Sequence, residues 1–500
     1  MKIKSLLAKP FANFIFRQIK KNSITAIADQ EQIFNTLIKS AAKTIFGVDH
    51  QFEKIKTHAD YCHHIPIRDY EALKPYIEKI KEGKHNVLWK GQPIYFAKTS
   101  GTTSGVKYIP ITKDSISNHI NTARNALLCY MVESGNTEFA DGKLIFLSGT
   151  PTLERIGDIP TGRLSGIVNH HIPKYLRSNQ LPTYETNCIE DWEDKLDKII
   201  DETINEDMAL ISGIPPWVQM YFDKLEAKSG KKIGELFPNF SLMVQGGVNF
   251  EPYKAKLLES IGRPIDTIEL YPASEGFFAF QDSQTEKGML LNTCSGIFYE
   301  FVPVAELANP HPTRLLLPQV QIGQNYALVI SSNAGLWAYN IGDTVKFISL
   351  QPYRIIVSGR TKQYISAFGE HVIVEEVEAA MLQTAKEESI TVNEFTVAPY
   401  VSTNQGKSYH EWFVEFEQPP NNLAQFIKKL DKNMRLKNDY YDDLIKGNIL
   451  QELKITPIAK TGFVKYMKSI GKLGGQNKIP KVSNDRVIAD GLLNNIEHSL

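Results

Sequence analysis

The sequence predicts an α/β protein with a large N-terminal domain and a smaller C-terminal domain. Short apolar segments alternate with segments of helical spacing, which is typical of a largely parallel sheet flanked by helices. The predicted buried strands are residues 144–148, 208–212, 242–247 and 267–271. The predicted helices beside them are residues 190–202, 215–225 and 252–261.

The pattern of predicted secondary structure changes twice in the second half of the chain. Residues 288–357 contain strands with period-two alternation, which predicts an antiparallel or β-barrel-like addition to the mixed sheets. After Arg360, strands near 395–400 and 410–416 and a helix over 421–436 predict a separate α/β domain at the C-terminus.

Helical spacing over residues 24–60 precedes two histidines, His63 and His64, that we expect in an extended segment leading to a helix near Asp69. Neighbouring residues of a strand point to opposite sides and no third ligand is near in sequence, so the pair is not interpreted as a metal site. The same reasoning applies to His170 and His171.

Composition favours a globular protein without nucleic-acid partners. Lys plus Arg and Asp plus Glu each number 56, so the net charge is zero and no basic excess is present. The 4 cysteines are scattered, which indicates buried, reduced thiols in a cytoplasmic protein. We expect an amphipathic first helix and no membrane partner, because no apolar run is long enough to span a bilayer.

The segment from Thr99 to Lys107 reads Thr-Ser-Gly-Thr-Thr-Ser-Gly-Val-Lys. Its glycines, hydroxyls and backbone N–H groups can surround phosphate oxygens, and Lys107 adds a positive charge. The spacing differs from that of the P-loop of NTPases. A polar surface turn is the structural alternative.

Two further segments place an aromatic residue next to an acid. Tyr271 and Glu275 follow the predicted strand 267–271, and ligands of open α/β sheets bind at such strand ends. Glu275 can hold Mg²⁺, although a capped turn is equally possible. Asp343 ends the segment Tyr-Asn-Ile-Gly-Asp and can chelate ribose hydroxyls, unless Gly342 and Asp343 form a hairpin turn.

Together these segments resemble the phosphate loop, the Tyr-x-x-Ser/Thr-Glu segment and the Tyr-x-x-Gly-Asp segment of the adenylate-forming superfamily. The chain is most similar to the Gretchen Hagen acyl acid–amido synthetases within it. Further marks of this resemblance are Ser212-Gly-Ile-Pro-Pro-Trp217, Phe298-Tyr-Glu-Phe-Val-Pro303, Gly335-Leu-Trp-Ala338, the segment 359–370 and Gly475-Gln-Asn-Lys-Ile-Pro480.

The resemblance implies a role for each matched residue. The phosphate loop consists of Ser100, Gly101, Thr102, Thr103, Ser104, Gly105 and Lys107. Gly247 and Val248 pass beside the adenine with Tyr271 near its ring, Ser274 contacts the α-phosphate, Glu275 serves Mg²⁺ and Asp343 holds the ribose. Arg360 lies at the domain junction, Lys362 at the hinge, and Lys478 reaches in to stabilise the adenylation transition state.

The resemblance also implies domains at 1–359 and 363–500, joined by a hinge at 360–362, with rotation of the mobile C-terminal domain between two reaction steps.

ATP and Mg²⁺ are the implied cofactors, and a carboxylic acid and an amino acid are the implied substrates. Alternatives are an acyl-CoA ligase and a non-catalytic binding relative. Asn340 and Lys481 replace arginines common in the family, which leaves the acceptor open. We expect the protein to be a monomer or a homodimer.

The acyl pocket is expected between the helix after Thr112 and the strands around 211–217 and 296–302. Trp217, Phe298 and Tyr299 are its candidate walls, although the same residue types suit a plain core.

Overall fold

The computed structural model describes residues 3–102, 105–172, 178–248, 250–307, 309–361, 364–402, 408–470 and 479–497. The chain divides into two compact units. The first comprises Met1–Thr99, Lys107–Ile189 and Lys195–Thr361. The second comprises Lys362–Leu500 with the short segments Ser100–Val106 and Glu190–Asp194.

Helices of the N-terminal part precede, interrupt and flank its strands. They are α1 Ile3–Ile24, α2 Ala26–Ala41, α3 Ile45–Asp49, α4 His58–His64, α5 Tyr70–Lys81, α6 Ile116–Glu133, α7 Leu164–His170, α8 Tyr184–Asn187, α9 Trp192–Thr203, α10 Pro215–Ser229, α11 Ile233–Leu236 and α12 Glu251–Ile261. Short 3₁₀ turns occupy Phe52–Lys54, Glu138–Ala140, Val304–Glu306 and Leu317–Gln319.

The strands of this part form two sheets. They are β1 Tyr95–Thr102, β2 Gly105–Ile111, β3 Lys143–Phe146, β4 Glu154–Ile156, β5 Ile159–Gly162, β6 Gln180–Leu181, β7 Met208–Ser212, β8 Leu242–Gly246, β9 Asp266–Ala273, β10 Gly276–Phe280, β11 Met289–Leu291, β12 Ile297–Pro303, β13 Asn325–Ser332, β14 Tyr339–Leu350 and β15 Tyr353–Arg360. The smaller sheet has the order β2-β1-β5-β4.

The larger sheet has 11 strands in the order β12-β13-β14-β15-β11-β10-β9-β8-β7-β3-β6. Strands β6, β3, β7, β8 and β9 pair in parallel, which confirms the strands predicted over 144–148, 208–212, 242–247 and 267–271. From β9 to β12 every pairing is antiparallel, so the sheet as a whole is mixed rather than largely parallel.

The antiparallel half of this sheet curls strongly. Neighbouring strands of a sheet lie about 4.8 Å apart, so β10 and β12, with four strands between them in the sheet order, would be distant in a flat sheet. Instead a Cβ on Gly276 would lie 2.6 Å from Ile297, and the rings of Phe278 and Tyr299 are 6.4 Å apart. The predicted barrel-like part is therefore this curled half, with β12 at its end.

The N-terminal helices cover the curled half. Gln30 of α2 donates to the carbonyls of Thr293 and Ile297 at 2.8 and 2.9 Å, and its side-chain oxygen accepts from the Tyr299 amide at 2.8 Å. Gln30 is buried, and these bonds satisfy its amide. The contacts hold α2 across the end strand of the sheet, whose edge would otherwise be open.

The segment with paired histidines differs from our expectation. His63 and His64 end helix α4, which begins with a capping box between Thr57 and Asp60. The extended conformation predicted for them was wrong, because the capping signal lies six residues earlier, before a short helical run. The predicted helix start at Asp69 is confirmed, since this side chain accepts from the Ala72 amide at 3.3 Å.

The other histidine pair makes ordinary hydrogen bonds. His170, at the end of α7, contacts the Pro151 carbonyl at 2.8 Å, and His171 contacts the Tyr95 hydroxyl at 3.1 Å.

The 4 cysteines are free, but only Cys129 is buried, and Cys294 is exposed, which corrects the expectation of buried thiols. Among the described residues, no helix combines the length and apolar character needed to cross a bilayer.

The second unit is an α/β domain with its own core. Its helices are α13 Val374–Glu388, α14 Leu423–Lys437, α15 Asp439–Lys446, α16 Gly462–Ser469 and α17 Val487–Glu497. Its strands are β16 Tyr364–Ile365, β17 Val372–Ile373, β18 Val392–Tyr400, β19 Tyr409–Phe416 and β20 Lys454–Ile458. The order β18-β19-β20 confirms the strands predicted near 395–400 and 410–416, and α14 confirms the helix predicted over 421–436.

A tryptophan and a glycine fix the turn that leads into β14. Trp337 is fully buried, its ring centroid lies 4.8 Å from that of Phe52, and its indole N–H donates to the Leu88 carbonyl at 3.0 Å. Gly335 has φ of +90°, and a Cβ there would lie 2.7 Å from the Leu88 side chain. Any larger residue would therefore displace the turn from Leu88.

We predict that Trp337→Ala lowers the free energy of unfolding by about 3–5 kcal/mol, because it leaves a large cavity and an unpaired carbonyl. Denaturant unfolding followed by circular dichroism measures this loss. Val48→Ala in the same unit is the control, since Val48 is 64% exposed and should change stability by less than about 0.5 kcal/mol. Equal stability of the two variants would contradict the account.

Candidate nucleotide site

The carboxyl ends of three parallel strands bring three sequence motifs to one edge of the large sheet. Strands β7, β8 and β9 are consecutive neighbours and parallel. The segments at the carboxyl ends of these strands are 212–217, 246–248 and 271–275. Ligands of open α/β sheets gather at this edge because the loops there diverge from the strand ends.

Gly247 leaves open space beyond the end of β8. Its φ is +85°, and among the described residues a Cβ at this position would meet only the Ile214 side chain, at 3.8 Å. The backbone is therefore accessible on this side, and a side chain would be strained there. Val248 follows in a bend. A flat ring can approach such an exposed backbone, which fits the role that the sequence implies for this pair.

Ser274 and Glu275 form the turn of a β-hairpin. Ala273 of β9 pairs with Gly276 of β10, so only these two residues connect the strands. The turn that we gave as the structural alternative for Glu275 is thus present. It nevertheless places the Glu275 carboxylate beside the strand edge. A tight hairpin turn holds the Glu275 backbone in a defined place.

Asp343 lies inside strand β14, so the hairpin-turn alternative is wrong for this residue. Its Oδ2 accepts a hydrogen bond of 2.7 Å from the Tyr271 hydroxyl. Its Oδ1 accepts from Arg360 Nε at 2.5 Å, and Arg360 is its cross-strand partner on β15. The carboxylate is 12% exposed and is oriented from two sides.

A second tyrosine connects the hairpin turn to the start of β14. The hydroxyl of Tyr339 donates to Glu275 Oε1 at 3.3 Å, and the Tyr339 ring is fully buried. The backbone before it is held by Arg68, whose N–H donates to the Ala338 carbonyl at 3.0 Å and whose carbonyl accepts from the Asn340 amide at 2.9 Å. Tyr339 thus fixes the position of Glu275.

Lys107 and Glu275 have opposite charges in a poorly solvated environment. Burial lowers the pKa of the Lys107 ammonium, while the negative charges of Glu275, Asp69 and Asp343 oppose that shift. Burial raises the pKa of the Glu275 carboxyl, and the positive charges of Lys107 and Arg360 oppose it. Each group therefore stabilises the ionised form of the other.

The sequence did not identify two residues of this site. Asp69 acts on Lys107 through its charge, yet its only sequence signal is that of a helix N-cap. Tyr339 belongs to a recognised motif, but nothing in the sequence shows that its hydroxyl reaches a turn 64 residues earlier. Both depend on long-range packing.

Some predicted site residues cannot be placed. Thr103, Ser104, Lys362 and Lys478 lie outside the described residues. For Ser100, Gly101, Thr102 and Gly105 the backbone is described as strand, at the end of β1 and the start of β2, and their side chains are not. Their roles in phosphate binding stay predictions.

The aromatic residues considered as walls of an acyl pocket pack into the core. Phe298 lies 4.9 Å from Phe34 of α2 between ring centroids, and the Tyr299 hydroxyl donates to the Asn292 carbonyl at 3.0 Å. Both are buried, as is Trp217. For Phe298 and Tyr299 the contacts favour the core alternative over a pocket wall.

The donor set suits a magnesium nucleotide. Glu275 offers a hard oxygen ligand of the kind that Mg²⁺ prefers, and Lys107 and Arg360 offer positive charge to phosphates. Among the described residues, no heavy atom lies within 4 Å of the position that a Cβ on Gly342 would take, so that part of the chain leaves space next to Asp343. The arrangement can therefore receive a polar, anionic ligand beside an acid.

Comparison with known proteins shows the family of the chain. Models of the GH3 family N-terminal, central and C-terminal domains match residues 15–186, 290–360 and 375–487. Jasmonoyl–L-amino acid synthetase JAR4 of Nicotiana attenuata is 23% identical over 445 residues, which cover 74% of this chain and 76% of that protein.

Two solved structures share the fold. GH3.15 acyl acid amido synthetase superposes with a TM-score of 0.60 at 13% identity, over 97% of this chain and 95% of that one. A 2-hydroxyisobutyryl-CoA ligase superposes with a TM-score of 0.56 at 13% identity, over 98% and 92% of the two chains. Because the three domain models together match more than half of its length, the chain belongs to the GH3 family.

Proposed function

We propose that this protein is an ATP-dependent acyl acid–amido synthetase. A carboxylate attacks the α-phosphate of ATP, forming an acyl-adenylate and releasing pyrophosphate. The amine of an amino acid then attacks the acyl carbon, forming an amide and releasing AMP. Membership of the GH3 family and the similarity to jasmonoyl–L-amino acid synthetase support both steps.

The observation that carries this proposal is the orientation of Asp343 by Tyr271 and Arg360, next to the Lys107–Glu275 charge pair. A carboxylate held from two sides can accept two ribose hydroxyls without rearranging, which saves the cost of ordering it upon binding. Its remaining lone pairs are available for this, because two carboxylate oxygens offer about four acceptor positions.

In the adenylation step, the residues of the site hold charges in place. Lys107 and Arg360 offset the negative charge that gathers on the phosphates, and they do so in a poorly solvated environment where such charges act strongly. Glu275 would hold Mg²⁺, which when bound supplies charge neutralisation to the phosphates. Ser274 adds a hydroxyl from the hairpin turn, and Gly247 and Val248 leave room for the base.

Two further roles rest on the family resemblance. We assign Lys478 to the transition state of adenylation and Lys362 to the hinge of a rotating C-terminal domain. Closure of the C-terminal domain would bring this cation to the site. The same closure would exclude water and protect the adenylate from hydrolysis. The loop of residues 100–105 would surround the phosphates with hydroxyl and amide donors.

We place the reaction in the cytoplasm, with small-molecule substrates and with no membrane or nucleic-acid partner. The free thiols and zero net charge support this assignment.

The proposal is tested by supplying purified protein with ATP, Mg²⁺, pooled carboxylic acids and pooled amino acids, followed by mass spectrometry. We expect an acyl–amino acid amide and AMP in equal amounts. A parallel reaction contains coenzyme A instead of amino acids. A thioester in that reaction, with no amide in the first, would establish the CoA-ligase alternative. ATP binding without product would favour the non-catalytic alternative or an acid outside the pools.

Replacing Glu275 with Gln should slow acid-dependent pyrophosphate release about 100-fold or more, because the neutral amide is a weaker ligand for Mg²⁺ and no longer offsets the charge of Lys107. The matched control is Glu235→Gln, which changes an exposed glutamate of α11 and should leave the rate unchanged. Wild-type rates in the Glu275 variant would contradict its assignment.

The pH dependence of kcat/KM for ATP should show the ionisation of both Glu275 and Lys107. The rate rises as Glu275 loses its proton, at a higher pH than for an exposed glutamate, since burial raises its pKa. It falls as Lys107 loses its proton, at a lower pH than for an exposed lysine, since burial lowers its pKa. Lys107→Arg should move the alkaline limb to higher pH, and an unchanged limb would refute the role of Lys107.

Substituting Asp343 with Asn should remove the preference for ATP over 2′-deoxyATP. A hydrogen bond to a charged group contributes about 1.5–3 kcal/mol, so the wild-type protein should prefer ATP by about ten- to a hundredfold. Competition binding measures this ratio, with the exposed Asp201→Asn as control. If the ratio is the same in both variants, Asp343 does not hold the ribose.

A further inference from the structure

A histidine, a cysteine and a glutamate meet outside the nucleotide site. His58 and Cys62 lie one turn apart on α4, and Glu300 lies on β12. His58 Nε2 is 2.7 Å from Glu300 Oε1, and Cys62 Sγ is 3.4 Å from His58 Nε2 and 4.0 Å from Glu300 Oε1. None of the three has a role in the reaction proposed above.

We propose that His58, Cys62 and Glu300 bind one Zn²⁺ ion or an ion of the same class. Their three ligand atoms lie within 4.8 Å of one another. Tetrahedral zinc bonds of about 2.0–2.3 Å place ligand atoms roughly 3.3–3.6 Å apart. The observed separations of 2.7, 3.4 and 4.0 Å lie on both sides of that range, so an ion requires shifts of only about half an ångström.

The ligand chemistry selects the ion. A thiolate and an imidazole favour zinc and similar transition metals, whereas Mg²⁺ and Ca²⁺ prefer oxygen ligands alone. Three protein ligands leave a fourth tetrahedral position, which water fills in such sites. The His58 side chain is 23% exposed, so the ion has a route from solvent.

Arg314 positions the glutamate. Its Nε donates to Glu300 Oε1 at 2.8 Å and its Nη2 to Oε2 at 2.7 Å, while Nη1 donates to the Ile65 carbonyl at 2.6 Å. Hydrogen-bonded partners of this kind orient metal ligands in proteins.

The charge of Arg314 does not exclude the ion. Binding exchanges the thiol proton of Cys62 and the Nε2 proton of the His58 imidazolium, which keeps its Nδ1 proton, for Zn²⁺, so the total charge of the cluster is unchanged. Glu300 is fully buried and paired with the Arg314 guanidinium, and the lone pair of Oε1 that faces His58 becomes available to an ion when the Nε2 proton of His58 leaves.

An ion here would fasten α4 to β12. The chain leaves α4 at His64 and reaches Arg68, whose backbone bonds hold the start of β14 beside Tyr339. Occupancy of the site would therefore stabilise the element that positions Glu275.

The test uses the full chain, freed of metal by a chelator, and titrates it with Zn²⁺ against a chromophoric competitor. We expect one equivalent to bind, and affinity at least about tenfold weaker in Cys62→Ser and in His58→Gln. Cys294→Ser, which alters an exposed cysteine away from the cluster, should bind as the wild type. Co²⁺ should give a thiolate charge-transfer band that Cys62→Ser abolishes, and Zn²⁺ should raise the Tm of the wild type only.

Two results would overturn the proposal: less than one equivalent bound by wild-type protein at saturating Zn²⁺, or unchanged affinity in Cys62→Ser. Circular dichroism of each variant shows whether it is folded. If His58→Gln unfolds, the cobalt band of the wild type and its loss in Cys62→Ser decide the question.

Discussion

The contact between Tyr271 and Asp343 is the constraint on which the rest of the nucleotide site depends. The two residues come from β9 and β14, which three strands separate in the sheet order, yet their side chains are 2.7 Å apart. This distance requires the sheet to curl, and the helices that cover the curled half, the buried Trp337 and the Arg68 backbone bonds maintain it. The fold and the site are thus set by the same packing.

The curl also explains the electrostatics of the site. It brings the hairpin turn with Glu275 beside the strand pair that carries Asp343 and Arg360, in surroundings that hold little water. Charged groups in such surroundings cost free energy unless opposite charges accompany them. Lys107 and Glu275 supply these opposite charges to each other without a ligand. The charged groups are therefore already in place when a charged ligand binds.

Much of this could be predicted from the sequence, because β7 and β8 are short, mainly apolar segments that end at or before a glycine, and Glu275 follows β9 directly after Ser274. Helix α5 was visible through its cap at Asp69. The contact of Tyr339 with Glu275 and that of Tyr271 with Asp343 could not be predicted. They arise from packing between segments far apart in sequence, and local propensity gives no signal of such packing.

The most direct test of an adenylate mechanism follows a labelled oxygen. A carboxylic acid accepted by the enzyme is supplied with ¹⁸O in its carboxyl group, together with ATP, Mg²⁺ and the amino acid. If the carboxylate attacks the α-phosphate and the amine then attacks the acyl carbon, one labelled oxygen stays on the phosphate of AMP. Label in inorganic phosphate, with ADP as the other product, would show attack at the γ-phosphate and would contradict the account.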